Sequence, residues 1–264
     1  MQHLQLLVGR EDYRYWCGGR LPREKLPGLV AKFASRYPIG QNTRQRAYAR
    51  SRERAVVQFV AFPDGEHVYW WLLSTAGPGG LADPAMPDAH VASNAHAAAG
   101  HIEFRDYVLL YATKKEPRKI VDRKTQRETT VLKDTSTWTW KMRAQVMSEL
   151  RAGIRQSCDR LEYGDESRGT RSGWGLRGLL AAQRERPLFA GIRTQVIELH
   201  REALKAWDGR RMAWLAKNPG YATKYGDQAG KLRPIKEVVA GLPKMIRLPV
   251  FDGKTLSELC KPAG

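Results

Sequence analysis

The sequence has only three cysteines, Cys17, Cys158 and Cys260, odd in number and far apart. That spacing offers neither a disulfide framework nor a zinc site, and a reducing cytoplasm suits it best. No apolar run approaches the ~20 residues that span a bilayer. The opening MQHLQLLVGREDYRYW lacks the basic start and long apolar core of a secretory leader. No membrane partner is therefore expected. Gly77-Pro78-Gly79-Gly80 is not followed by Gly-Lys-Ser/Thr, and GxGxxG, HExxH and paired CxxC motifs are missing. Walker-type nucleotide binding, dinucleotide binding, zincin chemistry and zinc fingers lose their sequence basis. Carboxylates are scattered, whereas a Mg²⁺-dependent nuclease gathers them. Neither a metal nor another cofactor is expected.

What the chain does have is positive charge. Forty-five Lys and Arg stand against 27 Asp and Glu, a formal charge of +18. Self-repulsion of that size calls for a polyanionic partner. A disordered basic tail is the wrong class, because 42% of the residues are hydrophobic and eight are tryptophan. The charge is uneven: 13 basic and 10 acidic residues lie in the first 110, and 32 and 17 in the remainder. A near-neutral globular half and a cationic half that grips phosphates follow as the expectation.

Residues 4–8 and 13–17 read as short strands or as one interrupted strand. Leu26, Leu29, Val30, Phe33 and Tyr37 have helical spacing, so a helix is expected over 26–37. Two strand-like runs, 55–62 and 67–74, flank a Pro-Asp-Gly turn and predict a hairpin. After a loop from 77 to about 100, residues 103–113 predict another strand. This order fits an α+β fold, ferredoxin-like (RRM-like) over 1–113. Residues 114–133, rich in Lys and Arg, read as a basic arm or hairpin. A basic, mainly helical region with a short C-terminal strand follows over 134–264. Its helices are expected over 141–161, 174–184, 188–207 (with 210–217 as a continuation) and 235–241, and its strand over 244–251. Adjacent Trp70 and Trp71 face opposite sides of a strand, so at most one is expected in the core there. Trp138 and Trp140 share a face and read as core.

Five arginines and one acid fall within 44–54: Arg44, Arg46, Arg50, Arg52 and Arg54, with Glu53. Guanidinium forks pair with phosphate and stack on bases, and Tyr48 lies among them, so the stretch reads as a solvated RNA-gripping arm. Its bland counterpart is a charged connector. Arg168, Arg171 and Arg177 straddle a Gly/Ser-rich loop around Trp174 and are candidate RNA contacts, as are Arg151 and Arg155 on the edge of a helix. His90, His96 and His101 read as surface histidines. His101, beside the 103–113 strand, is the best placed of them to serve as an acid or base.

The ferredoxin-like half, an arginine-bearing first helix region and a basic helical insertion before a C-terminal strand together resemble the CRISPR RNA-processing endoribonucleases of type IV systems. The resemblance implies a stem-loop RNA substrate, metal-free cleavage through the RNA 2′-hydroxyl, retention of the product, and partner subunits of a ribonucleoprotein. It implies Arg23 and Arg36 near the scissile phosphate. In that family a glycine-rich loop lies near the C-terminus, whereas Gly77–Gly80 lies in the first third here. With a pKa above about 12, arginine stabilises charge and leaves proton transfer to another group, such as His101. Both arginines reach one phosphate only if the chain bends at Pro27-Gly28. Two other readings stay open: a non-catalytic DNA-binding protein of a mobile element, with a helix-turn-helix over 174–207, and a structural RNA-binding subunit.

Overall fold

A computed structural model of the chain describes residues 1–121, 128–161, 175–187 and 189–220. The chain forms two compact units. In the first, helix α1 (Gln2–Arg10) precedes strand β1 (Tyr15–Pro22), helix α2 (Leu26–Ala34) and helix α3 (Thr43–Ser51). Strands β2 (Val57–Asp64), β3 (His67–Ser74), β4 (Ser93–Asn94) and β5 (Ile102–Phe104) come next. The antiparallel sheet has the order β2-β3-β1-β4, so α2 and α3 lie on the connection from β1 to β2, with β3 inserted between those strands. Gly65, at φ 61, makes the β2–β3 turn. A second, three-stranded sheet contains β5, β6 (Tyr107–Val121) and β7 (Glu128–Met142). The observed class is α+β.

Alternation of side chains gives the first sheet two packed faces. Val57, Phe59, Val68 and Leu72 meet Leu26 and Phe33 of α2 on one, and Trp70 stacks on Phe59 with ring centroids 6.2 Å apart. On the other face Phe104 of β5 meets Phe62, Tyr69 and Trp71 edge-on at 5.3, 5.0 and 5.5 Å. Trp71, 4% exposed, is the one core tryptophan of the pair, as expected, and Trp70 packs partly buried against the cluster on the opposite face. Gly18 is what lets β1 lie under them: a Cβ there would sit 2.6 Å from the Trp70 carbonyl.

The strand expected at 4–8 is part of α1. Leu4, Leu7 and Val8 are buried and Leu6 is exposed, the i, i+3, i+4 spacing of one helical face. The polar connection at 41–54 also folds, as α3. Asn42 accepts from the Gln45 amide while the Gln45 side chain accepts from Asn42 N–H, a reciprocal capping box.

The second unit holds Arg105–Val108 and, from Thr139 on, helices α4 (Ala144–Asp159), α5 (Gly175–Ala182) and α6 (Ala190–Lys217). These fall where helical spacing predicts, and α6 runs on through Asp208-Gly209. Its core is Met147, Ile154 and Cys158 of α4, Leu176 and Leu180 of α5, and Ile192, Val196, Leu199 and Trp207 of α6, with Trp140 at the end of β7. Gln195 pairs its amide with Met142, donating to its carbonyl at 3.0 Å and accepting its N–H at 2.7 Å. Arg168, Arg171, Trp174, residues 122–127 of the arm, the helix expected at 235–241 and the strand at 244–251 lie outside the described residues.

Candidate nucleic-acid interface

α3 is a helix whose sequence leaves almost nothing to bury. Ala49 is its one buried residue, and the rest of the nine are polar, charged or exposed. Tyr48 is 63% exposed, and the Arg52 guanidinium lies 5.6 Å from its ring centroid. Arg44, Arg46, Arg50, Arg52 and Arg54 are all surface residues. Among the described residues, no acid pairs with Arg44, Arg46, Arg52 or Arg54. Arg46 donates to Thr43 Oγ1 at 3.4 Å. Arg50 is the exception: it bonds Glu11 Oε2 at 3.3 Å and lies over the Tyr13 ring at 5.7 Å. Those contacts seat α3 beside the end of α1. His3 of α1 feels the same cluster: burial chiefly lowers its pKa, Glu11 opposes this, and Arg46 adds to it.

After α3 the chain turns sharply, with Glu53 at φ 56, and the glycine-rich loop packs on that turn. A Cβ on Gly77 would lie 2.7 Å from the Glu53 carbonyl, and one on Gly80 2.6 Å from the Ala55 Cβ. Gly79 N–H already donates to Asp83 Oδ2 at 2.7 Å, and the amides of Gly79 and Ala85 hold the Asp83 carboxyl below its ordinary pKa. This loop braces the arginine helix and carries its own anion.

The three residues expected at a cleavage centre do not converge. Arg23 opens a 3-10 turn just beyond β1, its N–H donating to the Glu66 carbonyl at 2.8 Å. Its guanidinium has no partner among the described residues. His101 follows Gly100, whose carbonyl accepts from the Trp16 indole at 2.7 Å at the other end of β1. Arg23 lies seven steps along the strand from Trp16, about 23 Å at roughly 3.3 Å per residue. Arg36 lies past the far end of α2, which runs unbroken over Leu26–Ala34 with Pro27 in its first turn. The chain does not bend at Pro27-Gly28, and the two arginines stay about 20 Å apart by helical rise. Arg36 is also engaged: it donates to both oxygens of Asp88, at 3.0 and 3.1 Å, and the Tyr37 hydroxyl donates to the same carboxylate at 3.2 Å. Asp88 is 8% exposed and Tyr37 is buried. Burial first, then Asp88, pushes the Tyr37 phenol up to about 12. Asp88 also raises the pKa of Cys17, second to burial, which places the Arg36 pair near the start of β1 and away from Arg23.

In the helical unit Arg151 forms a bidentate pair with Glu202, Nε to Oε2 at 2.9 Å and Nη2 to Oε1 at 2.8 Å, joining α4 to α6. Arg155 and Arg177 are exposed on α4 and α5. The first turn of α6 is packed away: Gly191 N–H donates to Thr139 Oγ1 at 3.0 Å, and a Cβ there would lie 2.6 Å from the Trp140 carbonyl. A recognition helix reads DNA with its N-terminal residues, so this burial argues against a helix-turn-helix over α5 and α6.

Sequence reasoning missed Arg10, Tyr111 and Trp138 as neighbours of α3's support. With Gln5, Gly9 and His96 they line a cleft of about 620 Å³ in the first unit. Its signal is tertiary, a helix brought against a hairpin, and no local pattern reveals it. Among the described residues no group of three His, Cys, Asp or Glu is arranged to hold a metal ion, and no helix is long and apolar enough to cross a membrane. Comparison with protein-family models, with curated proteins and with solved structures finds nothing that matches this chain.

Proposed function

We propose that this protein binds RNA and seats the phosphate backbone on α3. The observation that carries the reading is a folded, capped helix that buries one residue and presents, around an exposed tyrosine, arginines that apart from Arg50 meet no acid among the described residues. A helix that contributes so little to a core is worth folding when a ligand uses its surface, and arginines beside an aromatic ring suit phosphate and base together. The sheet order β2-β3-β1-β4, with a helical crossover from β1 to β2, supports a ferredoxin-like arrangement. Here Phe104 covers the sheet aromatics, so bases are expected elsewhere.

The resemblance to CRISPR RNA-processing endoribonucleases adds a second step to the proposal: cleavage of a stem-loop RNA by its own 2′-hydroxyl, with the product retained. Of the arginines it implies, Arg23 is the one whose guanidinium is uncommitted among the described residues, and its role is to stabilise charge on the phosphoryl oxygens. Arg36 acts through Asp88 on the fold. The test uses stem-loop RNA, single-stranded RNA and duplex DNA in EDTA, with a 2′-deoxy substitution at the scissile nucleotide. RNA should bind more tightly than DNA, and the deoxy substrate should bind and remain uncut. Equal binding of DNA overturns the first step, and cutting of the deoxy substrate overturns the second.

A further inference from the structure

The cleft lined by Gln5, Arg10, His96, Tyr111, Thr137 and Trp138 brings aromatic, polar and cationic side chains together. Tyr111 of β6 is 57% exposed, yet its ring packs on Trp138 with centroids 5.5 Å apart, which holds the ring in place while leaving a face open. His96 meets the same indole edge-on at 4.9 Å. Gln5 donates to the Trp138 carbonyl at 2.9 Å and ties α1 to β7, so the walls are fixed before any ligand arrives. Gly9 allows that approach, because a Cβ there would lie 3.0 Å from the Trp138 ring. Arg10 is exposed at the cleft with no partner among the described residues. The nearby acid, Asp12, is bound by Arg14.

We propose that this cleft takes one unpaired nucleotide of an RNA strand, its base stacked on Tyr111 and its phosphate on Arg10. The inference rests on the RNA-binding reading and gives it a second contact site. An aromatic face held by a second ring is a stacking platform for any base, and its volume lies within the range of ligand pockets. The lining also includes the polar side chains of Gln5 and Thr137, both bonded to the Trp138 carbonyl, and such walls suit a polar base better than an aliphatic ligand. The location agrees as well. Arg10 adjoins Glu11, which holds Arg50 of α3, so a strand leaving the arginine helix meets the cleft next.

The experiment uses the full chain and short single-stranded RNAs carrying the fluorescent base 2-aminopurine at each position in turn. One position should be quenched on binding, and Tyr111→Ala should abolish that quench and raise Kd by about 5- to 100-fold. Tyr111→Phe should retain the quench, and Arg10→Gln should weaken binding while leaving the quench at saturation. If Tyr111→Ala binds and quenches like the parent while loss of the α3 arginines abolishes binding, the cleft proposal fails and the RNA reading stands. If the parent binds no RNA, both fail.

Discussion

α3 and α4 both carry arginines on a solvent-facing side, yet they use them in opposite ways. α4 is anchored by a buried stripe, and Arg151 spends its fork on Glu202 of α6. α3 has almost no stripe, and among the described residues only Arg50 of its arginines meets an acid. The expectation from charge was that the more cationic remainder of the chain would supply most phosphate contacts. Among the described residues Arg44, Arg46, Arg52 and Arg54 nevertheless stand without an acid partner within the first 110 residues, where the formal excess is small. Net charge sums ions whether or not they are paired. Availability depends on which carboxylate the fold brings within reach, and that is a tertiary property.

The largest expected effect breaks the comparison outright if it fails. Replacing Arg44, Arg46, Arg50, Arg52 and Arg54 with glutamine should lower RNA affinity at least 100-fold at moderate salt. The log–log salt slope should flatten by roughly 0.7 per lost contact with a single strand. Tm should barely move, because exposed substitutions change stability by about 0.5 kcal/mol or less each. Arg151→Gln with Arg155→Gln should lower affinity far less. If the α4 variant loses as much affinity as the α3 variant, the two helices do not differ in how they meet phosphate. If the α3 variant unfolds, the helix is a structural brace and not a docking surface.

Much of the architecture was legible because burial writes periodicity into sequence. α2, α4 and α6 declared themselves by apolar spacing, and β2 and β3 by a turn between β-rich runs. α1 was misread because LQLLV, taken as five residues, looks like a buried strand. Only the wider window, with Leu6 outside and Leu4, Leu7 and Val8 inside, shows the helix. α3 was passed over for the opposite reason, since a helix without an apolar face has no period to detect. Its capping residues Asn42 and Gln45 were the available signal. The candidate site was less legible than the fold. The arginines of α3 stood out as a run, but the commitment of Arg36 to Asp88 spans 52 positions, and that of Arg151 to Glu202 spans 51. Nothing local in the chain marks such pairings.

A middle-sized effect separates a structural arginine from a chemical one. Arg36→Gln leaves the nearly buried Asp88 carboxylate with Tyr37 as its remaining side-chain partner, and should cost about 1–2 kcal/mol, discounted because the Arg36 side chain is 35% exposed. Arg23→Gln should leave Tm unchanged and slow cleavage by roughly 10²–10³. The reverse pattern would restore Arg36 to the reaction and remove Arg23. The same contact has a pH signature. Tyr37 ionises near 12 in the fold, through burial and then Asp88, against an ordinary value of 10.0. A raised folded value means that the folded state holds its proton longer. This contribution to stability is therefore whole below pH 10.0 and is lost as pH rises toward about 12. Tyr37→Phe should flatten that alkaline decline, and an unchanged decline would assign it elsewhere.

The smallest effect tests whether the paired arginine of α4 is merely satisfied or also stabilising. Arg151 and Glu202 meet through two parallel bonds, the geometry in which an exposed ion pair has most to gain. Both side chains are nonetheless well exposed, at 40% and 44%, so water competes for each charge and salt screens the pair. A double-mutant cycle with Arg151→Gln and Glu202→Gln should give a coupling of about 0.5 kcal/mol, fading at high salt. RNA adds a second readout. Glu202→Gln frees the Arg151 fork, so if pairing is what keeps α4 from binding phosphate, this single change should raise RNA affinity more than removal of one negative charge farther along α6, such as Asp208→Asn. Equal gains from the two variants would mean that long-range charge, and not commitment of the guanidinium, distinguishes α4 from α3.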